Sequence, residues 1–191
     1  MLIDENYLDL ETSAGGMRTF LYHPKYEGEF PGVVLFSEIY QVTGPIQRFA
    51  RQLASHGYTV AVPEIYHEFE PPGSPFAYDA AGTEKGNRLK VEKELSQYDE
   101  DANVVVQYLL DRNDCHGRLG AIGICLGGHL SFRAAMNPHV KAGVCLYPTD
   151  IHTGSLGKGL HDDTLARMNE IHGEMLMIWG KQDPHIPQEG R

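Results

Sequence analysis

Short apolar runs alternate with longer stretches of helical period along most of this chain. Gly32-Val33-Val34-Leu35-Phe36 is a continuous apolar run, the pattern of a strand buried on both faces. Ile46, Phe49, Ala50, Leu53 and Ala54 follow at helical spacing, from about Pro45 to His56-Gly57. Tyr58 to Val62 reads as the next strand, stopped by Pro63. Lys85 to Asn113 is helical in pattern, with a break expected near Gln97 to Asp101 and a core face of Val104, Val105, Tyr108 and Leu109. A strand running into Gly123, a helix to Met136, a strand from Ala142 to Tyr147, a short helix over Leu165–Ile171 and a strand from Glu174 to Trp179 continue the alternation. Ahead of it, Tyr7–Glu11 and Met17–Tyr22 read as an edge strand and its partner around an Ala14-Gly15-Gly16 turn. The pattern predicts one α/β domain over 1–191, with a mostly parallel central sheet flanked by helices on both faces.

In such sheets the site lies at the carboxyl ends of the strands. Glu38, Cys125, Tyr147 and Asp183 each follow a predicted strand closely, and Glu64–Gly82 and Pro148–Asp163 are loops long enough to shape a pocket. Gly123-Ile124-Cys125-Leu126-Gly127 joins a buried strand to a helix. It is a G-x-C-x-G form of the nucleophile elbow, which holds its central residue in a strained backbone at a helix N-terminus, where negative charge is favoured. The bland alternative is a small core cysteine in a strand-turn-helix.

Composition narrows the picture only slightly. The net charge of −10 argues against a nucleic-acid partner. Cys115, Cys125 and Cys145 form no paired framework, which predicts a reducing, cytoplasmic compartment and leaves Cys125 free to react. No signal peptide, membrane span or metal-binding motif is read; His161-Asp162-Asp163 reads as loop surface.

The chain resembles the dienelactone hydrolase family of the α/β-hydrolase superfamily. The residues that carry the likeness are Ser37-Glu38-Ile39-Tyr40, Pro63-Glu64-Ile65-Tyr66, the Gly123–Gly128 elbow and Gly180-Lys181-Gln182-Asp183-Pro184, within about 15–191. The resemblance implies hydrolysis of a small-molecule ester or enol-lactone, with no cofactor. Cys125 would be the nucleophile, and the backbone N–H groups of Leu126 and Ile39 would hold the oxyanion. Asp183 would orient a histidine base, its other reading being a turn aspartate before proline. Glu38 would help to generate the thiolate, its other reading being a polar strand end. Arg88 and Lys90 would face an anionic substrate or form a solvated helix face, and Tyr147 would line the pocket or belong to the core. His129 is expected to pack inside the fold. The resemblance also implies a catalytic histidine beyond Arg191, with another strand and a closing helix, so a truncated or cut chain is expected, a natural short form with a dead or altered site being the third reading; His185, two residues from Asp183, is the candidate stand-in. The rivals are a non-catalytic or regulatory small-molecule-binding protein on the same fold or an inactive fragment, a redox-sensing thiol, and a serine esterase using Ser131 or another serine.

Overall fold

The computed structural model describes residues 1–191. Seven strands form one sheet: β1 (Ile3–Thr12), β2 (Gly15–Pro24), β3 (Phe30–Phe36), β4 (Thr59–Pro63), β5 (Cys115–Ile124), β6 (Val140–Leu146) and β7 (Glu174–Ile178). Their order is β1-β2-β4-β3-β5-β6-β7. The β1/β2 hairpin is antiparallel and β2 pairs antiparallel with β4; every other pairing is parallel. Helices α1 (Gly44–Ser55), α2 (Ala80–Glu92), α3 (Leu95–Leu110) and α4 (Leu126–Ala134) complete the fold. This is the expected α/β sheet with helices on both faces.

Alternation along the strands sends side chains to opposite faces. On β3, Val34 and Phe36 join the larger core, built with Leu89 of α2, Val105 and Leu109 of α3, and Leu130 of α4. Leu35 points the other way, into a smaller core with Ile46, Ala50 and Ala54 of α1. The α1 layer is narrow, and Val33, Ile122 and Ile124 at its margin are only partly covered. On edge strand β7, Leu176 and Ile178 are exposed.

Three local expectations need correction. The hairpin turn is Ser13-Ala14, because Thr12 pairs with Gly15 and donates its hydroxyl to the Gly15 carbonyl at 2.8 Å. The helical stretch breaks at Lys93-Glu94, not within Gln97–Asp101. Glu94 caps α3 in a reciprocal box with Gln97, so a residue expected to interrupt the helix instead opens it. Lys93 is drawn fully inside by Glu68 at 2.7 Å and Asp101 at 2.8 Å. Over Leu165–Ile171 only a single 3-10 turn forms, Met168–Glu170.

Candidate active site

The turn between β5 and α4 holds Cys125 at φ +59°, ψ −120°, a conformation that costs a non-glycine residue strain. The two elbow glycines are there for space. A Cβ on Gly123 would sit 1.8 Å from the Gly127 carbonyl oxygen, and one on Gly127 would sit 2.2 Å from the Phe36 carbonyl oxygen. The elbow is thus pressed backbone to backbone against itself and against β3, with the Cys125 N–H donating to the Leu146 carbonyl at 3.0 Å. That packing over-determines the strained residue.

Cys125 lines a cavity of about 190 Å³ at the carboxyl edge of the sheet. Glu38, Ile39 and Tyr40 enter it from the loop after β3, Thr149 and Asp150 from the loop after β6, and His185 from beyond β7. Thr83, Asn87 and Lys90 face it from α2. Neither Leu126 nor Ile39 donates its N–H to a backbone carbonyl or side-chain oxygen, and the Leu126 N–H lies against the Cys125 sulfur. Burial pushes the Cys125 thiol above its usual value; the Leu126 N–H and Thr149 hydroxyl pull it down, while the Glu38 and Asp150 carboxylates push it further up. The net shift is upward, so the resting group is a thiol.

The loop carrying Glu38 and Ile39 is itself braced. Gln41 takes φ +65° and accepts the Tyr66 N–H at 3.2 Å. Tyr78, delivered by the long loop after β4, donates its hydroxyl to Glu38 Oε2 at 2.7 Å and shares a 2.8 Å hydrogen bond with the Thr43 hydroxyl. Its ring packs on Tyr40 at 4.6 Å between centroids. Burial, with the Glu38 carboxylate adding to it against the Thr43 bond, pushes the Tyr78 phenol up to about 12.

The structure therefore brings Cys125, Leu126, Glu38 and Ile39 together, and with them Lys90. It does not bring Arg88 or Tyr147. Arg88 projects into solvent beside Glu92, at 3.6 Å, on a face of α2 turned from the cavity. Tyr147 has φ +39° and is 43 % exposed; its N–H donates to the Ile178 carbonyl at 2.7 Å, a strand-end role outside the cavity. Asp183 stands at the same sheet edge, but its Oδ1 accepts the N–H of His185 at 2.9 Å, the turn-aspartate geometry; Oδ2 has no partner. His129 packs inside, fully buried, with Nε2 2.8 Å from the Thr164 hydroxyl, and burial lowers its pKa so that it stays neutral.

The His161-Asp162-Asp163 segment is more than loop surface. The Asp162 carboxylate is 1 % exposed and accepts the N–H groups of Leu156 and Thr164, and Asp163 pairs with Arg133 at 2.8 Å. No three His, Cys, Asp or Glu side chains gather where they could hold a metal ion. Cys145 is fully buried, and burial pushes its thiol up to about 12, which leaves it unfit as an exchange partner. A more apolar groove of about 330 Å³, lined by residues such as Val33, Leu53, Ile122 and Val144, does not include Cys125.

The family model that matches this chain is that of the dienelactone hydrolase family, over residues 17–191. The chain belongs to the dienelactone hydrolase family. It is 44 % identical over 200 residues to a Saccharomyces cerevisiae protein described as "Putative carboxymethylenebutenolidase", covering 100 % of this chain and 73 % of that protein. It is 25 % identical over 161 residues to the carboxymethylenebutenolidase of Pseudomonas putida, covering 84 % and 64 %. Among solved structures, a dienelactone hydrolase-like promiscuous phosphotriesterase from metagenomic libraries superposes with TM-score 0.76 at 19 % identity, over 98 % of this chain and 73 % of the other. That last likeness speaks for the fold alone. No helix of this family member is long and apolar enough to cross a membrane.

Proposed function

We propose that the chain carries the site of a carboxylic ester or enol-lactone hydrolase that works through a Cys125 acyl-enzyme. The observation that carries this reading is the elbow: a strained cysteine, set by two backbone-to-backbone glycine contacts at the start of α4, facing a cavity with a carboxylate in it. Membership of the family, and the names of the yeast and Pseudomonas relatives, support the substrate class.

The chemistry follows from the groups present. Glu38 takes the proton from the Cys125 sulfur as substrate enters, releasing its bond to Tyr78. The thiolate attacks the carbonyl carbon; the carbonyl π pair moves to oxygen and is held by the N–H groups of Leu126 and Ile39, each such donor worth about 3 kcal/mol of barrier. Collapse of the intermediate expels the alkoxide or enolate, which takes the proton back from Glu38. Water, deprotonated by Glu38, then cleaves the thioester and restores the thiol. In this reading Asp183, whose Oδ1 accepts the His185 N–H, orients an imidazole through Oδ2.

The test is single-turnover mixing with p-nitrophenyl acetate followed by intact mass and peptide mapping. An acetyl group on Cys125, released over time and absent from Cys125→Ala, is the expected result. Hydrolysis persisting in Cys125→Ala, or no acyl adduct at all, would overturn the reading.

A further inference from the structure

One polar group beside the Cys125 sulfur has no part in the acyl-enzyme scheme: the hydroxyl of Thr149, in the loop after β6. Two main-chain bonds fix the residue. Its N–H donates to the Cys125 carbonyl at 3.3 Å, and its carbonyl accepts the Ile151 N–H at 2.9 Å. Its neighbours are tied down on either side. Pro148 packs on the backbone of α4 so closely that a Cβ on Gly128 would come 3.0 Å from it. Asp150 takes φ +65° and pairs with Lys90 at 2.7 Å. Thr149 is thus laid along the elbow by backbone contacts, and its side chain carries none of the load. Thr153 in the same loop shows the contrast: its hydroxyl is spent on the Asp150 carbonyl at 3.0 Å and on the Ser155 hydroxyl at 2.7 Å. The Thr149 hydroxyl is committed to no oxygen and faces the sulfur, which the Leu126 N–H approaches from α4. Glu38 and Asp150 oppose negative charge there, and Tyr40, Lys90 and His185 are the further titratable groups of this chain that face the cavity. Tyr66 lies behind it, its hydroxyl donated to the Gly86 carbonyl at 3.1 Å.

We propose that Thr149 is a further catalytic residue, whose hydroxyl donates a hydrogen bond to the Cys125 sulfur whenever that sulfur carries negative charge. This rests on the reading of Cys125 as the reacting group and adds a donor to its site. The bond acts twice in one turnover. When the thiol proton leaves for Glu38, the hydroxyl turns its hydrogen to the thiolate and eases its formation. When water has added to the thioester and the intermediate collapses, the C–S bond breaks and its electron pair returns to sulfur. The same hydroxyl meets that charge until the proton on Glu38 moves back. The Thr149 proton stays on its own oxygen throughout, so the hydroxyl neither supplies nor consumes a proton. Because Pro148, Asp150 and the two main-chain bonds fix the residue beforehand, only the hydroxyl rotor has to move as the charge develops.

The experiment follows alkylation of Cys125 by iodoacetamide against pH in the wild type, Thr149→Val, Thr149→Ala and Thr149→Ser. Sulfur displaces iodide in every case, and the effect is read as a difference between variants of one protein, so the other groups at the site cancel from it. Cys115 and Cys145 are buried, and peptide mapping assigns the label. Valine keeps the branched shape and removes only the hydroxyl; alanine removes it without any risk of crowding. A hydrogen bond to a charged group is worth about tenfold in the thiolate equilibrium, a shift of about one pH unit. Both hydroxyl-free variants are therefore expected to move the pH profile up by about one unit. At pH 8 their rate falls about fourfold rather than tenfold, because a more basic thiolate is the better nucleophile. Serine, with the hydroxyl back, returns the profile most of the way. A profile unmoved in both hydroxyl-free variants, or moved equally in Thr149→Ser, overturns the proposal. Steady-state hydrolysis of p-nitrophenyl acetate is run on the same samples and should fall and return with the alkylation rate. Hydrolysis through Cys125 with no shift in any variant would sink the donor and leave the hydrolase. A shifted profile with no hydrolysis by the wild type would sink the hydrolase reading and leave the bond to the thiolate.

Discussion

Replacing Gly123 by alanine puts the elbow's packing to a quantitative test. The added Cβ would lie 1.8 Å from the Gly127 carbonyl oxygen and 2.2 Å from its carbon, where real Cβ contacts begin at 3.0 Å. The first turn of α4 must therefore retreat by about 1 Å, and it has little room to do so. Gly127 is already pressed on the Phe36 carbonyl, and a Cβ on Gly128 would meet Pro148 at 3.0 Å. Overpacking of this kind costs up to about 3 kcal/mol, and the stiffer unfolded chain of an alanine variant returns about 0.4–1. The expected net loss is about 2 kcal/mol, a fall of about 1 M in the urea midpoint at a slope near 2 kcal/mol/M. Gly16→Ala is the control, because its Cβ would find only Asp9 at 3.7 Å; its change is expected to stay within about 1 kcal/mol. Urea unfolding followed by far-UV circular dichroism gives both values, and iodoacetamide labelling shows whether Cys125 remains presented. Equal stability of the two variants would refute the view that backbone contact holds the strained cysteine in place.

Two further outcomes follow from the electrostatics. Because burial and two carboxylates raise the Cys125 thiol, and only thiolate is alkylated, the iodoacetamide rate should climb with pH and show no plateau below pH 9; a plateau at or below pH 8 would contradict the upward shift. Arg133→Met should cost about 2 kcal/mol in urea unfolding at pH 7, since it strands Asp99 and Asp163, a cost moderated by their partial exposure at 29 % and 49 %. Burial raises the Asp163 pKa, but the Arg133 hydrogen bond and charge outweigh it and hold the group low. Its stabilisation is present above the unfolded carboxylate value and lost as pH falls through the folded one, so the gap between wild type and variant should narrow in acid. A gap independent of pH would remove Asp163 from the account.

The legible parts of this chain were those written in local pattern. Continuous apolar runs found the parallel strands, and the spacing of Ile46, Ala50 and Ala54 found α1. The elbow was legible because its glycines serve contacts only a few residues away in sequence, Gly123 against Gly127. The break at Lys93-Glu94 was not legible because the partners of Lys93, Glu68 and Asp101, come from other segments, and no local rule buries a lysine. Choosing Arg88 as well as Lys90 overlooked a signal that was present: Thr83, Asn87 and Lys90 recur at helical spacing and form one polar stripe, which excludes Arg88. Tyr78 and Asp150 had no such signal, for each acts through a partner more than 30 residues distant.

These distant partners also explain how one site can be both quiet and reactive. At rest the Glu38 carboxylate is held by Tyr78, and Cys125 stays protonated. Passing the thiol proton to Glu38, as proposed, leaves the cavity's net charge unchanged and only moves it. The charge leaves a carboxylate hydrogen-bonded to a tyrosine and arrives on a sulfur beside the Leu126 N–H, at the N-terminus of α4, where backbone dipoles favour it. Asp150→Asn removes one of the two carboxylates that oppose the thiolate, so the pH at which iodoacetamide reacts should shift downward. An unchanged profile would remove Asp150 from the account of the resting thiol.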